Sequence, residues 1–207
     1  MRCERMSLTN RNVSVLPAQD FNLCAPSLIS QIPANYHMFA FLDPDGLELN
    51  WETLEKLGTR KHREILLNFS TGVYRCAQAA KSKPGLRDRV NMVMGMDDEW
   101  WRYSSEEILE TYKTNLKALG AGFKHVLDLP VRNQTQTIVY HLLFATDNDT
   151  AFKIVGPRIT QLAKLGRQQL ITIFLRQQGE RIPTLEDFNQ VQVAEDTAQT
   201  ALAKYFR

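Results

Sequence analysis

Asp43 and Asn68 each close an apolar run, and a carboxylate beside a carboxamide can accept hydrogen bonds from an amino group about to react. The first lies in His37 to Leu57, HMFAFLDPDGLELNWETLEKL, where an apolar strand stops on Asp43-Pro44 and a helix follows. Pro44 cannot donate to a strand ladder, so the strand must end there, and Gly46 can take the positive φ of a tight exit turn. The second lies in Glu64 to Phe69, EILLNF. In open α/β sheets ligands bind beyond the carboxyl ends of strands, which is where both polar groups are expected. Arg75, one helical turn past Asn68-Phe69-Ser70-Thr71, can aim a guanidinium at the same crevice. Strand termination at Asp43, an Asn turn at Asn68 and a surface ion pair at Arg75 are the plainer readings of the same residues.

The elements that would position these groups follow from pattern. Asn12 to Pro17, NVSVLP, is a short β-branched strand, followed by Asp20-Phe21-Asn22 and an amphipathic stretch through Ser27-Leu28-Ile29. Met38 to Leu42 is apolar throughout, as expected of a strand with helices on both faces. Asn50 can cap a helix over 50–59, and 64–69 is a third strand, so two strand–helix–strand crossovers in succession predict a parallel sheet. A helical region covers 72–82 and breaks at Lys83-Pro84-Gly85. Ser104 with Glu107 has the capping-box spacing, and the apolar positions Ile108, Leu109, Tyr112, Leu116 and Leu119 run to a stop at Gly120. Phe123 to Val131 and Thr137 to Thr146 form an antiparallel hairpin, helical segments follow at 150–165 and 168–177, and 183–207 reads as a surface helix or docking appendage. The expected organisation is an α/β domain over 1–165 and a helical appendage over 166–207.

Composition narrows the function classes. With 43% hydrophobic and 23% charged residues the chain is an ordinary globular protein, and a net charge of +2 implies no polyanionic partner by itself. Cys3, Cys24 and Cys76 are odd in number and never in a CxxC pair, which indicates neither a disulfide framework nor zinc. No apolar run approaches a membrane span and the first residues lack the core of a secretory signal, so the cytoplasm is expected and a membrane is not. No two of His37, His62, His125 and His141 lie at metal-ligand spacing, His141 reads as a hydrogen-bonded sheet histidine, and no metal site is assigned. A metal at Asp43 and Asp45 ranks last, because acids flanking a proline turn point apart. The aromatic and basic group of Trp100, Trp101, Tyr103, Arg87, Arg89 and Arg102 reads as a packed or partner-facing cluster rather than a nucleic-acid face. No GxGxxG or GxSxG occurs.

Four segments, FLDPDGLELNWETL (41–54), ILLNFSTGVYR (65–75), ILETYKTNLKALG (108–120) and IVYHLLFATDNDTAFKIV (138–155), resemble the three-Cys-motif partner family, often labelled TcmP. The resemblance covers roughly residues 12–160. It implies a doubly wound, mostly parallel sheet of the class I methyltransferase, Rossmann-like type with an antiparallel terminal hairpin. The family's opening strand with its FxGPG loop and the next strand ending in an acid have no counterpart here, so the sheet is expected to lack its first strands. By the same resemblance S-adenosylmethionine is the cofactor, with Asp20 and Phe21 beside its adenine. Asp43 and Pro44, with Asn68, form the catalytic set in the place of the Asp-Pro-Pro-Tyr-like motif of amino-methylating enzymes. Gly46 and Arg75 contact the substrate, an amino group of a nucleic acid, and a protein carrying the three-cysteine motif is the partner. The alternative is a non-catalytic interaction protein that kept the sheet and lost the cofactor half, with association into oligomers through an unpaired strand edge.

Overall fold

Apolar positions along the chain specify one sheet with helices packed on it. The structure, a computed structural model, describes residues 19–133, 135 and 137–164. The strand expected at 12–17, the helix at 168–177 and the appendage at 166–207 lie outside the described residues. The order is α1 (Phe21–Gln31), β1 (Met38–Leu42), α2 (Trp51–Gly58), β2 (Arg63–Ser70), α3 (Gly72–Ala79), a 3₁₀ turn (Ala80–Ser82), α4 (Pro84–Met94), a 3₁₀ turn (Trp100–Arg102), α5 (Ser105–Ala118), β3 (His125–Arg132), β4 (Ile138–Thr146) and α6 (Asp149–Lys164).

The strands form a four-stranded sheet in the order β1-β2-β4-β3. Only β1 and β2 pair in parallel, while β4 is antiparallel to both β2 and β3. This corrects the expected doubly wound, mostly parallel, Rossmann-like sheet of the methyltransferase type: the fold is α/β with a mixed sheet. The reason is the hairpin. Its second strand is the more deeply buried of the two, so β4 takes the place beside β2 and two of the three pairings become antiparallel.

One face of the sheet carries the core. Ile65, Leu67 and Phe69 of β2 and Leu143 and Ala145 of β4 pack against Leu54 and Leu57 of α2, Val73 and Ala77 of α3, Val90, Val93 and Met94 of α4, and Ile108, Tyr112 and Leu116 of α5. The other face receives α6 over the hairpin, where the Phe152 ring stacks on His125 at 3.8 Å. The expectation that β1 is covered on both faces does not hold. Phe39 and Phe41 are each 58% exposed, and an unbroken apolar run conceals an alternation that only burial reveals.

Local signals account for the helix boundaries. Ser104 Oγ accepts from Glu107 N at 3.2 Å while Glu107 Oε2 accepts from Ser104 N at 2.7 Å, completing the capping box of α5. Pro84 opens α4 at a first-turn position that needs no N–H. That helix ends on Gly95 at φ +75°, where a Cβ would collide with the Trp51 ring, so only glycine lets α2 and α4 meet. Asn50 occupies the cap position of α2, but its side chain instead accepts from Arg89 Nη1 at 2.7 Å.

Arg63 opens β2 with no exposed surface. Its guanidinium donates to Asp147 at 3.3 Å and to the carbonyls of Gly122 at 2.9 Å and Leu119 at 3.5 Å, and it stacks over Phe123. Burial lowers its pKa and the adjacent Asp147 carboxylate opposes that shift. Arg63→Ala strands a carboxylate and two carbonyls and should cost about 3–5 kcal/mol. Urea unfolding followed by circular dichroism checks this, with Arg63→Lys expected to fall between the two.

Candidate crevice at the carboxyl ends of the parallel pair

The register of β1 on β2 sets Leu42 opposite Leu67, so the next residues along, Asp43 and Asn68, meet at the strand ends. Asn68 Nδ2 donates to Asp43 Oδ1 at 2.6 Å. A carboxylate can only accept, so the amide nitrogen must face it and the amide oxygen must turn inward. That oxygen is buried and has no donor among the described residues. A cavity of about 10 Å³, near the size of one water, is lined by Asn68 with Pro44, Gly46, Ser70 and Tyr112. Gly46 stands at φ +66° with open space where a Cβ would be, so no side chain narrows the turn.

Asp43 is exposed at its strand end, and Tyr140 stands close by. Antiparallel pairing places Tyr140 opposite Ser70, on the face of the sheet that Asn68 shares. Burial raises the Tyr140 phenol pKa first and the Asp43 charge raises it further, so the hydroxyl remains a donor at neutral pH. Tyr140 escapes a reading of the sequence because its neighbours are fixed by strand register, and TIVYHLLFAT alone gives only an apolar strand.

Asp20, Phe21, Asp43 and Pro44 line one cleft of about 770 Å³ that continues between α1 and the outer edge of β1. Asp20 caps α1, its Oδ1 accepting from Asn22 N at 2.9 Å and from Asn22 Nδ2 at 3.0 Å. The Phe21 ring is 37% exposed. Asn22 ties α1 to the start of α2: its Oδ1 accepts from Asn50 N at 2.9 Å and Thr53 Oγ1 at 2.8 Å, and its Nδ2 donates to the Glu48 carbonyl at 2.7 Å. Arg75 is exposed in the first turn of α3, near Gly72, and makes no hydrogen bond or ion pair among the described residues. The structure thus brings Asp43, Pro44, Gly46 and Asn68 together, sets Asp20 and Phe21 at the cleft they share with Asp43, and leaves Arg75 without a contact to Asp43 or Asn68.

Residues outside the crevice have structural partners. His141 is 7% exposed and shares a 2.8 Å hydrogen bond with Asp128 across the hairpin. Trp100 is buried and donates to Asn91 at 2.9 Å, while Arg87 stacks on Trp101. Among the described residues no group of three or more His, Cys, Asp and Glu side chains is placed to hold a metal, and no helix is long and apolar enough to cross a membrane.

No family model, no curated protein and no solved structure matches the chain.

The tight Asp43–Asn68 contact predicts the behaviour of Asn68→Asp. Two carboxylates at this separation hold one proton between them, so a folded-state pKa rises above its unfolded value. The variant should keep its stability in acid and lose it as pH rises above the ordinary carboxylate range. Urea midpoints measured across pH check this, and an unchanged difference from wild type at every pH would contradict the contact.

Proposed function

We propose that the crevice holds an exocyclic amino group of a nucleic-acid base and that the chain is a methyltransferase-like protein working with a three-Cys-motif partner in the reducing cytoplasm. The observation that carries this reading is the exposed carboxylate of Asp43, held at the end of the parallel pair by the Asn68 amide. An amino group supplies N–H donors, and one of them can reach the Asp43 carboxylate. Asn68 fixes the Asp43 carboxylate through Nδ2 and so sets where the amino group must lie. Gly46 leaves the turn open to a flat ring, and the protonated Tyr140 hydroxyl offers a donor to the ring's edge.

The cleft mouth suits an adenosine-sized group. Phe21 offers an exposed ring face for stacking, and Asp20 Oδ2 makes no hydrogen bond among the described residues and can accept from a hydroxyl or amine. S-adenosylmethionine, when bound, supplies a methyl group on a sulfonium. Asp43 orients the acceptor nitrogen by accepting a hydrogen bond from one of its N–H groups and leaves the lone pair directed away from the carboxylate. As the nitrogen gains its new substituent it becomes acidic, and Asp43 is the group within reach of the proton it gives up. The pair contributes positioning and electrostatics, each of a kind worth about 10²-fold or more.

A second reading keeps the sheet and drops the chemistry, and the outer edge of β1, with which no other described strand pairs, favours it. In that reading the chain is a non-catalytic partner of the three-Cys-motif protein.

Asp43→Asn keeps shape and removes the charge. The expected outcome is binding of S-adenosylhomocysteine within about twofold of wild type and loss of methyl incorporation into single-stranded oligonucleotides of about 10²-fold or more. Calorimetric titration and transfer of labelled methyl groups check the two halves. Wild-type protein that neither binds S-adenosylhomocysteine nor transfers methyl groups favours the non-catalytic reading.

A further inference from the structure

Parallel pairing sets two histidines side by side that are far apart in sequence. The register of β1 on β2 begins with Met38 opposite Arg63, so the residues just before them, His37 and His62, meet at the amino ends of the two strands. Met38 N donates to the His62 carbonyl at 2.9 Å, which ties the two backbones together at that point. The imidazole centroids lie 5.3 Å apart with their planes at 32°, and both residues are exposed. The other two histidines are engaged: His125 bonds to Asp149 and stacks on Phe152, and His141 bonds to Asp128. The rings of His37 and His62 make no hydrogen bond or ion pair among the described residues, which leaves their nitrogens open to a ligand.

The spacing of the rings is that of a chelate. With metal–nitrogen bonds of about 2.0–2.1 Å, two imidazoles that share one tetrahedral ion have centroids about 5 Å apart. The surroundings admit a cation. Arg60 is held at the close of α1, where its guanidinium donates to the carbonyls of Ile29, Ile32 and Pro33. Lys61 is exposed, and its flexible stem lets the ammonium stay in water away from a bound ion. Glu64, two residues past His62 along β2, shares its side of the strand and places a carboxyl group in the neighbourhood.

We propose that His37 and His62 together bind one divalent transition-metal ion, Zn2+ or an ion of its kind, which joins the amino ends of β1 and β2. Imidazole nitrogen selects this class of ion over Mg2+ and Ca2+, which take oxygen ligands. Among the described residues no third His, Cys, Asp or Glu completes a set with the pair, so water fills the remaining positions. Among the described strands β1 pairs with β2 alone. The Asp43–Asn68 contact ties these two strands at their carboxyl ends, and the ion ties them at the other. Only the folded chain brings the two rings together, so the ion stabilises it by mass action. The inference stands on strand register and rests on no reading of the crevice.

Zinc chloride titrated into the untagged full chain, with its cysteines kept reduced and the buffer mildly alkaline, tests the proposal. The histidine ring resonances are followed by NMR and the urea midpoint by circular dichroism. The expected result is saturable binding that shifts the His37 and His62 rings together, leaves those of His125 and His141 in place, and raises the urea midpoint. Magnesium chloride should do none of this. His37→Gln and His62→Gln change exposed side chains and should fold as wild type. Each should weaken zinc binding about tenfold or more, because even changes outside the ligand sphere cost about 10–100-fold in metal affinity. His125→Gln should leave binding unchanged. Four results overturn the proposal. The first is no saturable binding, and the second is a shift confined to one of the two rings. The third is binding undiminished in the His37→Gln, His62→Gln double variant, which assigns the ion to other groups such as the thiols. The fourth is a urea midpoint that zinc raises equally in the wild type and the double variant.

Discussion

A guanidinium buried without exposed surface at the first residue of β2 sets what the rest of the sheet can do. Arg63 reaches the acid that follows β4 and the carbonyls of the loop that follows α5, so the start of the central strand, the end of its antiparallel neighbour and the entry to β3 share one cation. A buried charge is tolerable only with its partners in place, which makes the register of β2 against β4 a requirement rather than a preference. Five residues on, an odd number of steps along an alternating strand, Asn68 faces the opposite side from Arg63 and lands beside Asp43. The crevice therefore inherits its geometry from a contact at the far end of the same strand.

The amino-terminal helix is held by a different device. Asn22 uses both its side-chain amide nitrogen and its amide oxygen on Asp20, Glu48, Asn50 and Thr53, which pins the start of α1 to the start of α2. The far end of α1 is held by Arg60 through three carbonyls. Fixed at both ends, α1 stands beside β1 and defines the cleft between them. Asp20 serves first as the helix cap, so any role it has toward a ligand belongs to its second carboxylate oxygen.

Much of this was legible because it is local. A proline after an apolar run ends β1, a serine and a glutamate three residues apart begin α5, and two apolar runs across a short turn pair as a hairpin. Strand order was not legible. Sequence gives succession along the chain, and the insertion of β4 between β2 and β3 is decided by which strand is buried more deeply. The same limit hides Tyr140 and the exposure of Phe39 and Phe41, since each depends on a neighbour across the sheet. Asp43 and Asn68 were visible as polar ends of apolar strands. That they touch, and that the touch leaves an amide oxygen without a donor among the described residues, required the register.

The claim at the centre of this account is that Asp43 and Asn68 recognise an amino group. The side-chain amide resonances of Asn68, followed by heteronuclear NMR, report on that contact directly. Short single-stranded oligonucleotides containing adenine or cytosine should shift them, together with the Tyr140 ring, while matched oligonucleotides containing hypoxanthine or uracil, which lack the exocyclic amino group, should not. Equal shifts from both sets, or none from either, would contradict it.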